Sequence, residues 1–463
     1  MKKQSKRAAV FLSRSKSAPI DVYIWKLRRE DYGREELKRM FSLLWVHLNH
    51  CRHFSITDGD AWALKQVVER TFKQPALFLS SVDLGIAHDP AGEFQDALRR
   101  SGDFALSEYL LPYGSPRLKT AQLDQINIAS IHLCRYAFEH LTSLRLVDII
   151  IDEEGHASLS SALISMQALD HLELHSFRDG ALNVSPLAQP TIRFLELHIV
   201  VPSTYHVGIQ LFRASSLTTL SINCLGFFGD MGFTFDPDRS PQTCFPALQH
   251  LILVNVEPSP FKLILDGVAH TFPDIERLTW QGCQPEFGIG NILTAMGTRR
   301  GDGDNVWESA ARAPGLTLHW PKLQTIAVSG PGAAPDIPCL ELDSLVFELQ
   351  QAGIPIQKLM LPQSEIARAG GEMMGRVRNL VEVEDFRLDW PTPFERFRGK
   401  EIEGRPVNFR LCQILATHAM NIVYSRLKIA LVRLGCDHLA AWLSVCLNAT
   451  KTGLRWKRAW VLT

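Results

Sequence analysis

Phe245-Pro246-Ala247-Leu248-Gln249-His250-Leu251-Ile252-Leu253 is the stretch from which the fold follows. Leu248, Leu251 and Leu253 have the spacing L-x-x-L-x-L, and the last two, being two apart, lie on one face of an extended strand. The same spacing recurs at Leu141/Leu144/Leu146, Leu169/Leu172/Leu174, Ile192/Leu195/Leu197 and Leu217/Leu220/Ile222. It returns at Ile275/Leu278/Trp280, Leu323/Ile326/Val328 and Ile356/Leu359/Leu361. Weaker copies stand at Cys51/Phe54/Ile56, Leu79/Val82/Leu84, Leu118/Ala121/Leu123 and Val383/Phe386/Leu388. Successive units begin 23 to 48 residues apart.

One short strand cannot bury its apolar face alone. A unit repeated at this period predicts strands stacked in a parallel sheet, with a return segment between each pair. Most steps match or slightly exceed those of leucine-rich repeats. The expected fold class is therefore α/β: an irregular leucine-rich-repeat solenoid of about 12–13 repeats over residues 19–393. Its parallel sheet would line the concave side of a horseshoe, with helices and loops on the convex side. Three units share aromatic-Pro-x-apolar before the strand: Phe245-Pro246, Phe272-Pro273 and Trp320-Pro321. Proline ends the preceding helix and biases its neighbour toward extended geometry. Gln74-Pro75 and Ser115-Pro116 are expected to act alike.

Elsewhere the chain has 46% hydrophobic and 21% charged residues, ordinary for a globular protein, and zero formal net charge, which gives no overall bias toward nucleic acid. Nine scattered cysteines form no C-x-x-C pair and read as buried thiols of a reducing compartment, hence a cytoplasmic or nuclear location. Residues 1–18 are basic and acid-free and read as a flexible terminus. Ile20–Trp25 alternates as a strand, Glu35–His50 is an amphipathic helix, and Arg52–Thr57 is the next strand. Helical returns are expected at Ser158–Met166, Tyr205–Ala214 and Pro260–His270, insertions at 86–115 and 298–315, and a break at Trp390-Pro391-Thr392-Pro393. Residues 394–463 carry 12 Lys+Arg against 4 Asp+Glu and read as a basic helical tail or cap. No segment reaches the roughly 18 uncharged apolar residues of a membrane span.

In a strand reading L-x-x-L-x-L, the alternate residues face the concave side, the usual binding surface of a solenoid. These include Arg145, His171, Glu173, His175, Phe194, Glu196, His198, His250 and Arg277. His171, Phe194 and His250 fall in one column, and Glu173 lies beside Glu196 in the next. The mixture suits a protein partner, with Phe194 and Arg277 as anchors. His171, His175 and His198 with the two glutamates carry metal-ligand chemistry, but strand spacing alone sets no coordination geometry, and no metal or other cofactor is expected. No H-E-x-x-H, G-x-S-x-G, P-loop or dinucleotide fingerprint is present, so no catalytic activity is expected.

Ser13-Arg14-Ser15-Lys16-Ser17-Ala18-Pro19-Ile20-Asp21-Val22-Tyr23 resembles the segment that follows the F-box in the basidiomycete family of F-box/leucine-rich-repeat-like proteins. There a phrase of the type L-x-R-S-x-S-x-P-L-D-(L/V) opens the repeats. The helix, His47–Phe54 and the proline-anchored strands are similar as well, so the likeness covers residues 9–393. It implies a substrate receptor of a ubiquitin ligase, docked to a Skp1-type adaptor through an F-box. Nothing like L-P-x-E-(L/I) precedes Ser13, so adaptor docking is expected only where an F-box lies upstream. The second reading is a scaffold protein unrelated to ubiquitination; a truncated gene model lacking its F-box is another. The residues that form the asparagine ladder of regular repeats are here apolar, as at Ile149 and Val256.

Overall fold

The computed structural model describes residues 2–16, 18–25, 34–59, 61–86, 106, 109–179, 185–199, 209, 211–224, 244–254, 265, 268–269, 271–282, 289–297, 320–329, 342–387, 390–391 and 393–394. All of these belong to one compact unit.

The strands are β1 (Ile20–Trp25), β2 (Cys51–Gly59), β3 (Ser81–Ile86), β4 (Thr120–Asp124), β5 (Ser143–Val147), β6 (Ile150–Ile151), β7 (His171–Asp179) and β8 (Leu187–Ala188). They continue with β9 (Phe194–Ile199), β10 (Phe212–Arg213), β11 (Thr219–Cys224), β12 (His250–Val254), β13 (Arg277–Gln281), β14 (Thr325–Ser329), β15 (Lys358–Leu361) and β16 (Glu382–Asp385). Thirteen of them form one open sheet in the order β1-β2-β3-β4-β5-β7-β9-β11-β12-β13-β14-β15-β16, with β6 flanking β7. Every pairing is parallel, and each strand lies beside its successor along this path. β8 and β10 form a separate two-stranded sheet. The fold is mixed α/β, built on a large parallel sheet.

The register explains the repeated spacing. Phe54, Val82, Ala121, Leu144, Leu172, Leu195, Leu220, Leu251, Leu278, Ile326, Leu359 and Val383 pair in succession across the sheet. The residues two further on, from Ile56 through Leu146 and Leu174 to Val328, form a second apolar column. Both columns share one core with helix residues such as Leu37, Phe41, Leu64, Leu163, Leu293 and Val346. The helices pack on one another in chain order: Lys2–Ser15 on Arg34–His47 and that on Ala61–Thr71, then Ile289–Gly297 on Leu342–Gln351 and that on Gly371–Arg378. Burying such a leucine removes it from water at about 1.5–3 kcal/mol per side chain, which is what holds one strand beside the next.

The first apolar residue of each unit has a different task. The amides of Leu79, Leu118, Leu141, Leu169, Leu217, Leu248 and Leu323 each donate to the carbonyl three residues back, at 3.0–3.2 Å. Each closes a tight turn that delivers the chain into its strand, with the leucine itself buried. Proline at the second position has its φ preset for such a turn, and Pro116, Pro246 and Pro321 occupy it. Pro75 does not, lying one residue before the turn that opens at Ala76. Neighbouring turns also satisfy each other: Ser115 Oγ donates to the carbonyls of Ala76 (2.9 Å) and Leu79 (3.1 Å), and Trp320 Nε1 to that of Phe272 (3.0 Å).

Several expectations are corrected. The basic N-terminus is not a flexible lead-in: Lys2–Ser15 is a helix whose Leu12 is buried in the core. The last strand is Glu382–Asp385, so Val383 takes the middle position of its unit, beside Leu359, and the repeat reads Leu380/Val383/Asp385. The expected return helix at Ser158–Met166 begins earlier, at Glu153, because Asp152 caps it by accepting from the Gly155 amide (2.7 Å). Phe212–Arg213 is a strand rather than part of a helix. Residues 87–105, 298–315 and 395–463, half of 205–214 and most of 260–270 lie outside the described residues.

Candidate functional site

The same pairing that buries the leucines lines up the residues between them. One column runs Ser143, His171, Phe194, Thr219, His250 and Arg277 from β5 to β13. The next runs Ser55, Asp83, Gln122, Arg145, Glu173, Glu196 and Ser221 from β2 to β11. A third places Asp124, Val147, His175, His198 and Asn223 side by side. The expected neighbours are neighbours: His171 and Phe194 are adjacent, as are Glu173 and Glu196.

At the centre is Glu173, fully buried with 0% exposure. A carboxylate taken out of water must be met by donors or it will not stay ionised. Arg145 Nε donates to one of its oxygens, while His171 Nε2 (2.7 Å) and Trp390 Nε1 (3.2 Å) donate to the other. His175 Nε2 lies 3.3 Å from Glu173 Oε2 and 3.7 Å from Glu196 Oε2, an ion pair with both that is not aligned as a hydrogen bond to either. Arg145 reaches the other way as well, donating from Nη1 to Gln122 Oε1 (3.1 Å). The chain of polar contacts thus spans β4, β5, β7 and β9.

Electrostatics follow from this packing. Burial works against ionisation of Glu173, but His171, His175 and Arg145 outweigh it and hold the carboxyl well below its usual range. Burial likewise pulls His175 down, yet Glu173 and Glu196 reverse this and push it up to about 9, so it carries a proton at neutral pH. His198, edge-on to His175 at 5.5 Å, goes the other way: burial and that positive neighbour lower it to about 3. Its Nε2 is buried with no hydrogen-bond partner among the described residues. Three strands from Glu173, burial raises Asp83 to about 6, opposed by the hydroxyl of Ser55 that donates to it at 3.1 Å.

Glu173, His175 and Glu196 could each offer one ligand atom to a metal, all within 4.8 Å of one another. The donor set resembles a zinc site in kind. However, Glu173 already accepts from Arg145, His171 and Trp390, and a protonated His175 has no lone pair on Nε2 to offer a cation. Nor do the buried cysteines suit nucleophilic work: burial pushes the Cys51 thiol up to about 12 and raises Cys134 further.

Not every expected residue joins the cluster. Arg145, His171, Glu173, His175, Phe194, Glu196 and His198 come together across β5, β7 and β9. His250 lies on β12 and pairs with Thr279 Oγ1 (2.8 Å), and Arg277 lies on β13. The face over the cluster is also not an open sheet surface, since His171 is only 3% exposed. Trp390 stands edge-on to His171 (centroids 5.0 Å apart) and to Phe194 (6.2 Å), and Phe394 to His171 (6.0 Å). The Arg145 guanidinium sits 4.3 Å above the Phe394 ring. Neither aromatic belongs to a repeat, and strand spacing gave no sign of them; the only signal was a tryptophan and a phenylalanine on either side of two prolines.

No helix among the described residues is long and apolar enough to cross a membrane. Compared with known proteins, the chain matches no family model and no curated sequence.

Proposed function

We propose that the chain is a protein-binding leucine-rich-repeat solenoid that captures a partner on its concave polar face and has no catalytic activity of its own. The observation that carries this reading is the unbroken register, which turns scattered single residues into continuous columns of His, Glu, Arg and Phe. A reach argument supports the curvature. β7 and β16 are seven strand steps apart in the sheet order, about 34 Å if the sheet were flat. Trp390, which touches His171 and Glu173 on β7, is only five positions beyond Asp385, the end of β16. Five residues span about 18 Å at most, which supports a sheet that bends toward its polar face.

By its resemblance to the F-box/leucine-rich-repeat-like family, the module is the recognition half of a ubiquitin-ligase receptor. The alternative is a scaffold protein with no adaptor. A photoreactive residue in place of Arg277, on the polar face, and another in place of Lys322, outside it, test the binding surface in cells of the source organism. The expected result is a partner crosslinked from position 277 whose purified form no longer binds the Arg277→Glu chain. Crosslinking from position 322 alone would reject the reading. The ubiquitin assignment is tested separately, by complex formation between a Skp1-type adaptor and the chain with any encoded upstream F-box attached; no complex leaves the scaffold reading.

A further inference from the structure

The residues over the buried carboxylate belong to this chain, but they are not held as the strands of the sheet are. Among the described residues, Trp390, Pro391, Pro393 and Phe394 form no backbone hydrogen bond to another residue. They join neither a strand nor a helix. Their attachment is through two side chains: the Trp390 indole donates to Glu173 and packs on His171 and Phe194, and the Phe394 ring lies against Arg145 and His171. Pro391 between them is exposed. Two aromatic anchors four residues apart, separated by prolines that favour an extended backbone, is how a short peptide docks on a receptor rather than how a core is built. The receiving surface is equally specific. A buried carboxylate accepts from an indole N–H, and a guanidinium receives a ring face.

We propose that Arg145, His171, Glu173 and Phe194 form a recognition site for an extended, proline-containing peptide with two aromatic side chains four residues apart, and that the chain's own Trp390–Phe394 fills it in competition with such a peptide. The proposal rests on the reading of the polar face as a binding surface and names the chemistry it selects. Trp390 is five residues from the last strand, so the tethered segment competes at an effective concentration on the order of millimolar. A partner therefore binds well only when it displaces the segment or when the segment is withdrawn. The tether makes the face self-covering and keeps two large aromatic rings off bulk solvent.

The test uses a fluorescent peptide of the sequence Leu388–Arg396, titrated with the full chain and with the full chain carrying Trp390→Ala and Phe394→Ala. The expected result is binding at least tenfold tighter to the double variant than to the unaltered chain. That binding should be lost when the peptide's own tryptophan is replaced by alanine. Equal affinity for the two chains, or no binding to a double variant that melts cooperatively, overturns the proposal. If the double variant does not fold, Trp390→Phe with Phe394→Leu replaces it; failure of that milder pair to fold makes the segment a structural closure and also overturns the proposal. The two readings fail separately: a partner crosslinked at position 277 while the peptide binds neither chain leaves a binding face without this peptide specificity.

Discussion

The two faces of the sheet obey different rules although the same strands build both. On the apolar face, Leu144, Leu172, Leu195, Leu220, Leu251 and Leu278 are interchangeable parts, each 0% exposed and each flanked by its equivalents. On the polar face the residues change along a column: Arg145 and Glu173 are adjacent in one, whereas Thr279 and Ala327 occupy that column on β13 and β14. Dispersion and hydrophobic burial are non-directional, so any large aliphatic residue serves the first face. Ion pairs and hydrogen bonds in a dry site demand specific partners, so the second face carries its individuality in a few residues of β5, β7 and β9.

The sharpest way to break this contrast is at Glu173. Glu173→Ala leaves Arg145 and the protonated His175 without their buried counter-charge, and the expected loss is about 3–5 kcal/mol, read from the urea midpoint at pH 7. The equivalent change in the same column, Thr279→Ala, removes one hydrogen bond to His250 and should cost about 1 kcal/mol. On the apolar face the asymmetry should vanish. Leu172→Ala and Leu278→Ala are each expected to cost about 2–5 kcal/mol and to match one another, because both leave a methyl-lined cavity in the same kind of column. A large difference between them would show that the repeats are not equivalent.

Acidity separates the faces next. His175 is raised from 6.5 to about 9, so the stability it contributes is complete below pH 6.5 and is lost as pH climbs to and through 9. His198 is lowered to about 3, so the unfolded chain takes up a proton that the folded chain refuses, and stability falls as pH drops from 6.5 toward 3. Glu173 adds to the acid loss below its ordinary 4.5, while Asp83, raised to about 6, opposes it between 6 and 3.8. Thermal midpoints should therefore peak near pH 6.5 and change little between 6 and 4.5, where His198 and Asp83 nearly cancel, and His198→Asn should make them rise as pH drops from 6 to 4.5. An unchanged acid limb would move the origin of the pH dependence elsewhere. The smallest effect is expected at the sheet's exposed margin. Arg193 pairs with Asp170 through both ends of its guanidinium, but the two side chains are 59% and 32% exposed, and Arg193→Ala should change stability by less than about 1 kcal/mol.

Local spacing carried most of the framework. The weak copies at Cys51/Phe54/Ile56 and Leu118/Ala121/Leu123 are true repeats, because a column tolerates phenylalanine or alanine as long as the period of two is kept. The last copy failed for the same reason in reverse: Phe386 and Leu388 imitate the period three residues late, while the last strand among the described residues ends on Asp385. The helix Lys2–Ser15 was missed because Leu12 is its buried anchor among mostly exposed residues, and one apolar contact makes no period. Within the site, seven of the nine candidate residues were legible because strand alternation determines which way they face.

By itself, then, the sequence determined the strand order, the register and the composition of both faces, since these depend on residues two, three or about thirty positions apart and on whether they prefer water. Only the tertiary structure decided that Glu173 is closed off beneath Trp390 and Phe394. The contact joins residues 217 apart in the chain. It depends on where the segment after β16 is placed, which no single unit encodes.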